Sequence, residues 1–106
     1  MGYTTRITWE PLRTLNAPFT GAYQALGTPL VNSSYICKLV NNSTVLVTIS
    51  IDGVGDIDVA PANSFWLYDE YKTKRLEALP AGTQIYVKGT AGTGSVYLVS
   101  QYLIVM

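Results

Sequence analysis

Apolar and polar residues alternate along most of this chain with a period of two, and no segment longer than a turn or two carries helical spacing. Tyr3, Thr5, Ile7 and Trp9 fall on one face of an N-terminal strand, with Thr4, Arg6 and Thr8 on the other. Residues 10–18 break the pattern. Pro11 and Pro18 cannot donate to a central ladder, so this stretch reads as a connector with room for one helical turn after Pro11. A short strand is expected over residues 22–26, and a fuller one where Tyr35, Cys37 and Leu39 alternate with Ile36, Lys38 and Val40.

Asn41-Asn42-Ser43 predicts a turn. After it, Val45, Val47, Ile49 and Ile51 form the strongest alternating run in the chain and mark a core face. Asp52-Gly53-Val54-Gly55-Asp56 closes the next hairpin, since Asp-Gly supplies the positive φ that a tight turn needs. Strands over residues 57–60, 64–68, 83–88 and 95–104 complete the set. The expectation is an all-β fold, an antiparallel β-sandwich or jelly-roll-like barrel of about eight strands. Residues 1–20 are read as an N-terminal strand or docking arm plus connector, and residues 21–106 as the sandwich domain.

Composition narrows the chemistry. The 106 residues suit one domain, and seven Lys+Arg balance seven Asp+Glu. That balance argues against nucleic acid and anionic membranes, which call for a basic face. With no histidine and Cys37 alone, His-based catalysis, the common zinc sites and an intrachain disulfide are excluded. No cofactor is expected. The opening residues lack the basic stretch and apolar core of a secretory signal, so the triplets at Asn32, Asn41 and Asn42 read as turn residues and not glycan sites. The longest apolar run, residues 103–106, is far short of the ~20 residues of a membrane helix.

Charged residues make up 13% of the chain, against about 25% in an ordinary soluble domain. Protein interfaces are depleted in Lys, Glu and Asp and enriched in Tyr and Trp, which is the bias found here. Much of the surface is therefore expected to be covered by other subunits; the alternative is a soluble β domain with a Thr-rich surface. Six of the fourteen charges sit in residues 69–77, a segment expected to be the water-facing loop or an ordinary exposed one.

Other constellations have structural readings beside the chemical ones. Asp52, Asp56 and Asp58 could bind calcium but do not follow the EF-hand spacing, and turn chemistry is the preferred explanation. No two of Glu10, Asp58, Asp69, Glu70 and Glu77 carry a pattern that marks a hydrolytic carboxylate pair. Gly89, Gly92 and Gly94 precede a strand, as in a hairpin, and not the helix of a phosphate loop. Cys37 reads as a small buried hydrophobe. Trp66, Tyr68, Tyr71 and Tyr86 could form a sugar-stacking platform; otherwise one face of Phe65-Trp66-Leu67-Tyr68 is core and the other meets a neighbouring subunit.

Three segments carry a family likeness. They are Val47-Thr48-Ile49-Ser50-Ile51-Asp52-Gly53-Val54-Gly55-Asp56, Pro61-Ala62-Asn63-Ser64-Phe65-Trp66-Leu67-Tyr68-Asp69, and Leu79-Pro80-Ala81-Gly82-Thr83-Gln84-Ile85-Tyr86-Val87-Lys88-Gly89-Thr90 followed by Gly94-Ser95-Val96-Tyr97-Leu98. Together they resemble the small all-β virion proteins of tailed bacteriophages. The likeness implies a non-enzymatic subunit made in the host bacterial cytoplasm and carried on the virion. It also implies a homo-oligomer whose partners are capsid, portal, neck or tail subunits. A carbohydrate-binding module on a virion or cell surface is the alternative. Tyr3, Ile7, Trp9, Trp66, Tyr68 and Tyr86 are the candidate contact residues. Residues 3–9 are either a docking arm anchored by Trp9 or an intramolecular first strand.

Overall fold

The computed structural model describes residues 5–34, 36–69 and 79–105. Its strands are β1 (Thr5–Trp9), β2 (Arg13–Asn16), β3 (Gln24–Ala25), β4 (Ile36–Ser43), β5 (Val47–Ser50), β6 (Asp58–Ala60), β7 (Ser64–Asp69), β8 (Tyr86–Lys88) and β9 (Gly94–Val105). No helix occurs among the described residues. Two antiparallel sheets pack together as a β-sandwich. The five-stranded sheet runs β1-β9-β4-β7, with β2 also on β9; the four-stranded sheet runs β3-β8-β5-β6.

Period-two alternation places the core between the sheets. Cys37 and Leu39 on β4 and Val96 and Leu98 on β9 face inward from one sheet, and Val47 and Ile49 on β5 and Val87 on β8 face inward from the other. Phe19, Leu26, Leu30 and Ile85, from the connecting segments, fill the space between them. Cys37 is fully buried, and burial pushes its thiol up to about 12.

Three local expectations are corrected. Within the supposed connector, Arg13–Asn16 is a strand with no helical turn; it pairs with β9 from Arg13↔Leu98 to Asn16↔Ser95. Pro11 and Pro18 lie outside the paired stretch, and Arg13 and Leu15 alternate inward with exposed Thr14 and Asn16. Asn41-Asn42-Ser43 is not a turn but the end of β4, still paired with β9 as far as Ser43↔Gly94. Asn41 tolerates its complete burial because its Nδ2 donates to Val45 O, Ala60 O and Pro61 O at 2.9, 2.8 and 3.1 Å, while its Oδ1 accepts from Ser43. Ile51 leaves the core face and is exposed, since the ladder ends at Ser50 and the buried Ser50 hydroxyl accepts from the Asp52 and Gly53 N–H groups.

The first strand lies on its own chain: β1 pairs with the far half of β9, from Thr5↔Val105 to Trp9↔Gln101. β1 and β2 thus follow one edge of β9 in succession, with the chain leaving the ladder at Glu10–Leu12. There a buried ion pair forms, with the Arg13 Nη2 donating to Glu10 Oε1 at 2.7 Å. Arg13 also donates to the carbonyls of Thr28 and Pro29, and Glu10 accepts from the Val31 and Asn32 N–H groups. The pair therefore fastens the loop between β3 and β4 to the five-stranded sheet.

Candidate functional site

With Cys37 and Leu39 turned inward, the odd-even alternation turns Ile36, Lys38, Val40 and Asn42 of β4 outward. Register carries this assignment to the neighbours. Val40 lies opposite Phe65 on β7 and Tyr97 on β9, and Lys38 lies opposite Leu67 and Val99. On the other side of β9, Trp9 stands opposite Gln101 and Thr14 opposite Tyr97. These rows make a continuous outer face on the five-stranded sheet.

That face is apolar and open. Trp9, Phe65 and Leu67 are 61%, 59% and 49% exposed, with Val40, Tyr97 and Val99 half-buried between them. Among the described side chains of the face, Lys38 alone is ionised. A groove of about 410 Å³ crosses one end of it, bordered by Phe65 and Tyr97 with Asn42, Asn63 and Lys38. Asn63, at φ 57°, holds the turn into β7 in the left-handed region that Asn adopts more readily than most residues.

The residues singled out in the sequence separate into three groups. Ile7 and Trp9 lie on this outer face through β1, Trp9 well exposed and Ile7 half-buried. Trp66 and Tyr68 are half-buried and pack against the core, so of the two faces of β7 they occupy the inner one and Phe65 and Leu67 the outer. Tyr86 belongs to the other sheet, where its ring lies 3.5 Å from the position a Cβ on Gly53 would take. Tyr3, Tyr71 and residues 70–77 of the charged segment lie outside the described residues. The stacking platform of Trp66, Tyr68 and Tyr86 is thus not assembled: two of these rings face the core and the third lies on the opposite sheet.

Phe65, Leu67, Val40 and Tyr97 are the contact candidates that the sequence reading missed. Both faces of Phe65-Trp66-Leu67-Tyr68 are apolar, so alternation within β7 cannot tell inside from outside. The available signal was Lys38: whichever face carries that ammonium faces water, and Leu67 is its cross-strand partner.

The aspartates act within turns. Asp52 Oδ1 accepts from the Ser50 hydroxyl and from the Val54 and Gly55 N–H groups at 2.8–2.9 Å, which holds its carboxyl below the usual range. Asp56 accepts from the Tyr23 hydroxyl and from Lys88 Nζ at 3.2 Å, and Lys88 lies 4.7 Å from the Tyr23 ring centre. These contacts lower the Asp56 carboxyl, while desolvation and Asp56 push the Tyr23 hydroxyl up to about 12. Asp58 accepts from the N–H of Val59. No group of three His, Cys, Asp or Glu is brought together among the described residues. No protein-family model, curated protein or solved structure matches the chain.

Proposed function

We propose that the chain is a non-enzymatic bacteriophage virion structural protein, docked in multiple copies on capsid, head–tail neck or tail through the outer face of its five-stranded sheet. The observation that carries this reading is the apolar patch of that face, Phe65 and Leu67 beside Val40, Tyr97 and Val99, with Trp9 exposed across from Gln101 and one ionised side chain among those described. A sheet face of this kind gains free energy when a partner covers it, and repetition turns modest contacts into firm attachment. The resemblance of the turn and strand segments to tailed-phage virion proteins supplies the particle. Mass spectrometry of purified phage particles from cells making the chain tests the reading. A fixed copy number per particle supports it; absence from the particles overturns it.

The groove favours one second reading, a carbohydrate-binding module. Two aromatic rings beside amide and ammonium groups form the combination that stacks on a sugar ring and reads its hydroxyls. Binding on a glycan array that Tyr97→Ala removes would support it, and an array without hits would dismiss it.

A further inference from the structure

Among the described residues the sheets end in four edges, and they are unequal. The β1/β2 edge is interrupted at Glu10–Leu12 by Pro11 and carries Arg6. β3 is two residues long, and β6 is three residues long and stops at Pro61. β7 is six residues without proline, lysine or arginine, and among the described strands it pairs with β4 alone. Natural edge strands are kept from pairing by short length, proline or inward and edge charges. Over Phe65–Leu67, β7 has none of these protections.

We infer that two copies of the chain pair antiparallel through β7 about a twofold axis centred on Trp66, joining their five-stranded sheets into one. It rests on the reading above that the chain docks in multiple copies, and names a contact between two of them. Register decides the centre. Directly opposed residues of antiparallel strands share a face, so only registers that set outward residues against outward residues continue the sheet. Centring on Phe65 or on Leu67 sets the other of the two against the partner's position 63 or 69, outside the apolar pair. Centring on Trp66 sets Phe65 against the partner's Leu67 and, by symmetry, Leu67 against the partner's Phe65. Two cross-strand apolar pairs then cover side chains that are 59% and 49% exposed in one copy. The outer faces of the two copies become one surface twice as wide.

Cysteine cross-linking reads this register. Phe65→Cys and Leu67→Cys replace exposed side chains, and the native Cys37 is fully buried and out of reach. Under mild oxidation with glutathione disulfide, the two variants mixed should form covalent dimers at least about tenfold faster than either alone, because a disulfide tolerates only closely opposed Cβ atoms. Equal rates in the mixture and the single variants, or a native chain that sediments as a monomer at high micromolar concentration, overturn the proposal. Pairing without incorporation into particles would contradict the virion reading and leave this one standing. Incorporation of a chain that shows no cross-linking preference would do the reverse.

Discussion

Arg13 and Glu10 meet at 2.7 Å with both side chains almost wholly out of water, one on the inward side of β2 and the other at the break that separates it from β1. Removing one partner of such a pair leaves the other charge buried and uncompensated. Arg13→Met is therefore expected to cost about 3–5 kcal/mol of unfolding free energy in urea titration, far more than loss of a surface ion pair. A cost below about 1 kcal/mol would show that the pair does not fasten the loop between β3 and β4.

The same pair sets a pH dependence. Burial alone would raise the Glu10 carboxyl, but its hydrogen bonds with Arg13, Asn32 and Val31 outweigh burial and hold the group below its usual 4.5. The folded value is the lower one, so the contribution to stability is fully present above 4.5 and is lost as pH falls through the folded value. Glu10→Gln should flatten the acid limb of the stability profile followed by thermal melts, while Glu10 itself should give a decline with falling pH.

Asn41 ties the sheets together, since it sits on β4 yet donates to Ala60 O at the end of β6. Asn41→Leu takes the amide donor from the buried Ala60 carbonyl and the Oδ1 acceptor from the buried Ser43 N–H, for an expected loss of about 2 kcal/mol or more. Chemical denaturation of the variant is the measurement, and an unchanged midpoint would contradict this role.

Cys37 should behave as an inert hydrophobe. Its full burial and a thiol pushed up to about 12 mean that a maleimide at neutral pH should label it only as fast as the protein opens. Labelling that keeps pace with a free thiol would place Cys37 elsewhere than in the core.

Much of the fold was legible because alternation is a physical consequence of the pleat. Cys37/Leu39 and Val47/Ile49 declared their inward face, and the sandwich followed. What alternation could not resolve were positions where another interaction overrides it. Asn41 looks like a turn residue until its five hydrogen bonds are in place, and Arg13 looks unsuited to the inside of a strand until Glu10 is beside it. Glycine at position 27 is a related case. A Cβ there would lie 2.7 Å from the Arg13 side chain, a tertiary demand with no local signature beyond the glycine itself. The candidate contact face was half legible. Trp9 was found through β1, but on β7 the inner aromatics were chosen over Phe65 and Leu67 because four consecutive apolar residues carry no alternation.

If the outer face of the five-stranded sheet is the contact surface, charges placed on it should keep the folded chain off the particle. Copy counting by mass spectrometry in purified particles tests it most directly, comparing the native chain with a Phe65→Glu, Val40→Lys double variant whose circular dichroism and melting confirm that it still folds. The native chain should be present at a fixed copy number and the folded variant depleted at least about tenfold, the effect of roughly 1.4 kcal/mol at each site. Undiminished incorporation of the folded variant would contradict it.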